Sequence, residues 1–177
     1  MLDKKLILVG YSGHGLVIAD TAIENNFNII GYSEKVISKS NPLNLEYLGC
    51  ETDESFKGWY LKADYIIGLG DNRLREKIYN LLIQKDKKTI TLINHSSSIS
   101  NHSKIGNGVF INRNVSINAY ASIGNNVILN TGCIIEHECN IEGHVHIASG
   151  AVLAGNVTIG ERTFIGANSI VKQGVKI

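Results

Sequence analysis

The sequence predicts two joined parts: a small Rossmann-like α/β domain over residues 1–92, and a parallel β-helix of hexapeptide repeats over residues 93–177. Three observations carry this reading. Ile93 and every sixth residue after it, through Ile177, is Ile, Leu or Val without a break. Four places after each of these stands a small or β-branched residue, running from Ser97 and Ser103 to Val175. Ahead of the repeat, short apolar runs alternate with helical patterns and glycine turns, the order of an α/β unit. A period of six is neither the 3.6 of a helix nor the 2 of a single strand, and it marks a hexapeptide β-helix.

Composition narrows the function classes. The chain has 177 residues with 17 Lys and Arg against 16 Asp and Glu, spread evenly, so no basic field points to nucleic acid or a membrane surface. The N-terminus has no charged region followed by a long apolar run, so no signal peptide is expected. No stretch approaches the roughly 20 apolar residues of a membrane span. Three cysteines cannot all pair, and Cys133 and Cys139 fall on inward repeat positions. They read as buried thiols of a cytoplasmic protein.

Lys4 to Gly10 is a continuous apolar run ending at glycine, which suits a strand buried on both faces. Gly10-Tyr-Ser-Gly-His-Gly15 then leads into a helical pattern from Leu16 to Asn26. Strand, glycine turn and helix open a nucleotide-binding unit, because glycines admit a phosphate to the backbone and the helix N-terminus offers N–H groups. The spacing G-x-x-G-x-G differs from the dinucleotide fingerprint, so NAD is not expected. Phe27 to Tyr32 is a second strand, and Ser33-Glu34 follows it where an acid can reach a ribose hydroxyl. Residues 35–62 are polar and weakly patterned, with an edge strand expected at Tyr47–Gly49. Tyr65 to Leu69 is a third strand, Gly70-Asp71-Asn72 its turn, and Arg73 to Lys85 an amphipathic helix. Thr89 to Ile93 is expected as a last strand entering the repeat. The turns Gly10–Gly15, Tyr32–Glu34 and Gly70–Asn72 all follow strand C-termini, the edge where such sheets bind ligands.

From Ile93, each six residues make a strand and a corner, and three such units make a coil of 18 residues, about four and two-thirds coils in all. Corners are expected at Asn107-Gly108, Asn125-Asn126, Glu142-Gly143, Gly155-Asn156 and Ala167-Asn168, whose residues mostly tolerate left-handed backbone. No long loop interrupts the repeat, so a site must be built on the coil surface with help from a neighbouring subunit. Flat prism faces suit a trimer, each burying residues such as Phe110, Ile128 and Ile134.

One corner is chemically unusual. His137 is flanked by Glu136 and Glu138, and a histidine beside a carboxylate can serve as a general base. A solvated surface histidine is the competing reading. His95 and His102, at the start of the repeat, read as surface or hydrogen-bonding groups. His144 stands two residues before His146 but has no third partner at zinc-ligand spacing.

Together, Gly10–Gly15, Gly70–Arg75 and Asn130–Cys139 resemble the NeuD/PglD-type sugar acetyltransferases over essentially the whole chain. That family includes UDP-4-amino-sugar N-acetyltransferases of bacterial glycan synthesis and sialic acid O-acetyltransferases. The resemblance implies a left-handed coil, a homotrimer with active sites between subunits, acetyl-CoA as co-substrate and no metal. It implies N-acetylation of the 4-amino group of a nucleotide-linked amino-deoxy sugar, with His137 as base and Glu138 raising its basicity. It further assigns His146 to the acetyl-CoA, a Gly155 backbone N–H to the oxyanion and Ala167 to the pantetheine arm. Ser12, Gly13 and His14 match the phosphate-holding loop, while Ser33, Glu34, Gly70, Asp71 and Asn72 match turns around the nucleoside. Many relatives have two acids where this chain has Ser33-Glu34. Relatives also continue for another coil or two beyond the position of Ile177, so the β-helix is expected to be truncated. Sialic acid O-acetylation is the alternative reading, and a non-catalytic hexapeptide scaffold is a second.

Overall fold

The apolar runs and helical patterns of the first half become five elements: β1 (Lys5–Val9), α1 (Gly13–Glu24), β2 (Asn28–Ser33), β3 (Asp64–Ile67) and α2 (Asn72–Gln84). A computed structural model of the chain describes residues 4–177 as two compact units, which divide between Ile90 and Thr91. In the first unit the sheet order is β2-β1-β3, all parallel, with β1 in the centre. Leu6, Ile7, Leu8 and Val9 are fully buried, as a central strand covered on both faces requires. α2 puts Ile78, Tyr79 and Leu82 into the core beside Phe56 and Tyr65.

Local expectations needed correction in three places. α1 begins at Gly13, three residues before the apolar pattern starts at Leu16, so half of the glycine turn is helix. Tyr47–Gly49 makes only a single bridge, Tyr47 to Tyr32, and the polar stretch around it folds through the short 3₁₀ turn Lys57–Tyr60. Thr89–Ile93 is not one strand: Thr89 bridges Tyr65, whereas Leu92–Ile93 pairs with Phe110–Ile111 in the second unit. Thr91 already belongs to that unit, its hydroxyl donating to the Gly106 carbonyl at 2.8 Å.

The second unit is a parallel solenoid, the left-handed β-helix of hexapeptide repeats. Two-residue strands stack in three sheets whose partners are always 18 residues apart, as in Leu92–Ile93, Phe110–Ile111, Ile128–Leu129, His146–Ile147 and Phe164–Ile165. A second face carries Ser98–Ile99 to Ile170–Val171, and the third Lys104–Ile105 to Thr158–Ile159. The sixfold aliphatics and their small companions fill the interior; from Val109 to Ile159 each inward residue is buried. Burial pushes the Cys133 thiol up to about 12, so it is an inert core group.

Every sixth residue from Gly108 to Gly174 has a positive φ. The expected corner Glu142-Gly143 is displaced by one, because the register puts His144, not Gly143, in the left-handed conformation at φ 62°. Phe110 and Ile128 are at most 3% exposed within the chain, so they form no open apolar stripe of the kind expected for a trimer face. Among the described residues no helix is long and apolar enough to cross a membrane.

Arg162 occupies a left-handed corner at φ 62°, and its bond with Glu161 is solvent-exposed. Left-handed backbone costs an ordinary L-residue about 1 kcal/mol and asparagine less, whereas an exposed ion pair contributes only ~0.2–1 kcal/mol. Arg162→Asn is therefore expected to leave stability level or raise it by up to about 0.5 kcal/mol, read from the urea midpoint.

Candidate active site

His137 and Glu138 turn the third edge of the prism, between the faces of Ile134–Ile135 and Asn140–Ile141. Glu138 takes the left-handed conformation, φ 59°, and its N–H is tied to the Ala119 carbonyl one coil earlier. This reversal swings the carboxylate back onto the preceding residue, so His137 Nδ1 lies 3.0 Å from Glu138 Oε2. A carboxylate only accepts, so the imidazole hydrogen sits on Nδ1 and the lone pair on Nε2. His137 is 52% and Glu138 63% exposed at the side chain. In water such a pair contributes little to stability; what it fixes is the tautomer and orientation of the ring.

The neighbours of His137 in its column, 18 residues away on either side, are Ala119 and Gly155. Gly155 is buried, and a Cβ there would stand 2.5 Å from His137 Cε1 and Nε2. Its missing side chain is thus the space the imidazole occupies.

His146 lies elsewhere on the prism. It sits on the face of Ile128–Leu129 and Phe164–Ile165, opposite the edge that carries His137. It is buried, edge-on to Phe164 with ring centroids 5.0 Å apart, and its Nε2 is 3.4 Å from the Asn130 amide nitrogen. Ala167 is exposed just before the left-handed Asn168, on a different edge from His137. A single chain therefore brings His137, Glu138 and Gly155 together and keeps His146 and Ala167 apart from them.

In the α/β unit the three turns gather at the C-terminal ends of the strands. From β1 the chain goes to β2 on one side and then crosses to β3 on the other, which opens a crevice between the ends of β1 and β3. Two classes of glycine line it. Gly10, Gly15 and Gly68 are needed for close approach, since side chains at 15 and 68 would strike the Gly10 carbonyl. Gly13 and Gly70 have no atom within 4 Å of a would-be Cβ, so no neighbour in the fold explains them. Ser12 is the N-cap of α1 but makes no side-chain capping bond, and no acid stands in the first turn. His14 follows in that turn and is partly exposed. The N-terminus of a helix so arranged favours an anion.

The remaining turn residues are engaged by the fold. Ser33 is buried and donates to the Glu51 carboxylate, so its hydroxyl faces inward. Glu34 accepts from the Tyr11 N–H at 2.7 Å, which ties the second turn to the first. Asp71 caps α2 through the Leu74 N–H, and Asn72 is the first residue of that helix. Arg75, only 1% exposed, donates to the Leu69 and Gly70 carbonyls and so holds the third turn in place. Burial pushes its guanidinium down to about 10, against the opposing charge of Asp71, so it stays protonated near neutrality. The motif Gly70–Arg75 gave no sign of this task for its arginine. The buried asparagines Asn94 and Asn112 also escaped sequence reasoning, because they read as ordinary corner residues. Among the described residues no three His, Cys, Asp or Glu side chains converge as metal ligands.

Comparison with known proteins matches both units. Residues 5–82 fit the family model of the PglD N-terminal domain, and residues 138–173 fit that of the bacterial transferase hexapeptide in six repeats. The acetyltransferase domain of PglB from Neisseria gonorrhoeae, solved with acetyl coenzyme A, is 26% identical at a TM-score of 0.89, covering 98% of this chain and 84% of that one. A mutant perosamine N-acetyltransferase from Caulobacter crescentus, in complex with CoA and GDP-perosamine, shares the fold at 22% identity and a TM-score of 0.87, covering 97% and 90%.

Gly155→Ala tests the geometry around His137. The added methyl must displace the imidazole, and a misplacement near 1 Å costs on the order of 10²-fold in rate. Acetyl transfer is expected to fall by about that factor while the melting curve keeps its shape, measured by steady-state thiol release and circular dichroism.

Proposed function

The chain belongs to the NeuD/PglD-type sugar acetyltransferases, and we propose that it transfers the acetyl group of acetyl-CoA to the 4-amino group of a nucleotide-linked amino-deoxy sugar. The observation that carries this reading is the Glu138-oriented imidazole of His137, whose Nε2 lone pair lies against the backbone of Gly155. The likeness to the N. gonorrhoeae domain supports acetyl-CoA as the donor. The perosamine enzyme contributes the fact that this fold accommodates both a coenzyme and a nucleotide sugar.

The chemistry follows from the tautomer. His137 Nε2 takes a proton from the sugar amine as the nitrogen attacks the thioester carbonyl carbon, and a C–N bond forms. Negative charge collects on the carbonyl oxygen, where the Gly155 backbone N–H would stabilise it. The C–S bond then breaks, the coenzyme thiolate recovers the proton from His137, and acetamide and free thiol leave. Glu138 holds the ring throughout and balances the transient imidazolium.

The crevice of the α/β unit is the proposed seat of the nucleotide. Ser12, Gly13 and His14 would take its phosphates at the α1 N-terminus. Glu34, Gly70, Asp71 and Asn72 would border the nucleoside, Glu34 through the carboxylate oxygen not used by Tyr11. Ser33 acts through Glu51 rather than by its own contact. Ala167 would meet the pantetheine arm through its backbone.

His137 and His146 lie on opposite sides of one prism, so a site that uses both needs two subunits. This supports a homotrimer with each site between neighbouring chains, and a second chain would also shield the half-exposed His137 from water.

The test is a panel of nucleotide-linked 4-amino sugars, with sialic acid alongside, assayed with acetyl-CoA by release of free thiol. Turnover is expected on a 4-amino sugar, and His137→Ala should lower kcat by about 10²–10⁴-fold without altering the oligomer. Undiminished turnover in His137→Ala would remove it from the mechanism, and acetylation of sialic acid alone would replace the amine with a hydroxyl acceptor.

A further inference from the structure

We propose that Asn112 and Asn130, two asparagines stacked in one column of the solenoid, are positioning residues that hold His146 as a neutral hydrogen-bond donor and bar it from acting as a base. The argument starts from amide orientation. Asn130 Oδ1 receives the Thr131 N–H at 2.8 Å and the Asn112 Nδ2 at 3.0 Å. Both partners are donors, so that end of the Asn130 side chain is the oxygen and its other end is the NH₂. Asn112 is itself fixed in the same sense. Its Oδ1 takes the Arg113 N–H at 2.8 Å, and its Nδ2 reaches both Asn130 Oδ1 and, at 2.8 Å, Thr131 Oγ1.

The Asn130 NH₂ therefore faces His146 Nε2 as a donor, and Nε2 must be the acceptor. Its hydrogen is on Nδ1, and a proton cannot be added at Nε2 without opposing the Asn130 amide. Burial of the ring and its edge-on contact with Phe164 keep it in that orientation.

The two histidines thereby receive different work from the same tautomer. In His137 the N–H is spent on Glu138 and the lone pair points outward. In His146 the lone pair is spent on Asn130, and the ring offers only an N–H. Within the acetyl-transfer reading, on which this functional half rests, the partner subunit's His146 is a donor to an oxygen acceptor such as the acetyl carbonyl.

The tautomer itself can be read without any substrate. ¹⁵N NMR of the full-length protein at neutral pH should show His146 protonated on Nδ1 and unprotonated on Nε2. Asn130→Asp keeps an oxygen for Thr131 and Asn112 but replaces the donor facing His146 with an acceptor, so Nε2 should gain a proton. A wild-type His146 protonated on Nε2, or nitrogen shifts unmoved by Asn130→Asp, overturns the assignment. Asn112→Ala releases one clamp on the amide and should lower kcat on the order of tenfold, with the acceptor KM within about twofold, in line with losses seen when groups supporting a functional histidine are removed. Unchanged kcat there would separate the asparagine ladder from catalysis. Absence of acetyl transfer to every acceptor would defeat the functional reading and leave the NMR result standing.

Discussion

The second unit depends on one constraint: the chain must complete a coil every 18 residues, and so must turn through left-handed backbone every sixth. Asparagine and glycine fill eight of the twelve positive-φ corners from Gly108 to Gly174, where that conformation is cheap. Tyr120, Glu138, His144 and Arg162 fill the others. No local preference puts them there; stacking of the inward aliphatics does, because a slip of one residue would turn the aliphatic ladder out of the core. Burial of each Ile or Leu is worth about 1.5–3 kcal/mol, which outweighs a strained corner. Glu138 is the instance with a chemical outcome. Forced into the left-handed region, it bends the chain so that adjacent residues meet side chain to side chain, and His137 is given its carboxylate.

The α/β unit works by close approach rather than by a repeated register. Gly10, Gly15 and Gly68 let the first turn, the start of α1 and the end of β3 converge. Glu34 then ties the second turn to the first through Tyr11, and Arg75 ties the third turn to α2. Residues that looked like ligand contacts in the sequence are thus partly consumed in holding the turns that would make the contacts. Ser33 is the extreme case, closed off against Glu51. The two glycines that the fold does not explain, Gly13 and Gly70, mark where the turns remain open.

Period six survives translation into structure because it reports burial, the dominant stabilising effect in the solenoid. The coil, the three faces and the inward residues were therefore legible from the chain. Features decided by weaker effects were not. Gly143 seemed the natural corner, yet the register assigned His144. Leu16 seemed to begin α1, yet the glycines ahead of it are helical because they are needed for approach to Gly10, which hydropathy does not register. Thr89–Ile93 read as one strand because of its alternating β-branched and aliphatic residues, although it is shared between two units. At the site, the adjacency of His137 and Glu138 was visible, while the void that Gly155 provides was not, since a missing side chain has no pattern of its own. Phe110 and Ile128 show the converse limit: a period locates outward positions but does not say whether they are covered.

The asparagine column follows from the same stacking. Asn94, Asn112, Asn130, Ala148 and Gly166 occupy it, 18 residues apart. In the middle of it, each amide oxygen caps the next residue's N–H, and the Asn112 NH₂ reaches up to the Asn130 oxygen. Such a ladder has a direction, with every step passing a donor upward. It cannot continue past Asn130, because the next position is Ala148 and offers no side-chain acceptor. An NH₂ shut away from water at the end of a polar ladder is costly unless an acceptor meets it, and the ring nitrogen of His146, two residues before Ala148, fills that place. The polarity of His146 is therefore set by where the asparagines stop, and a coil repeated for its hydrophobic interior ends up deciding which way a histidine on its outer face can bond.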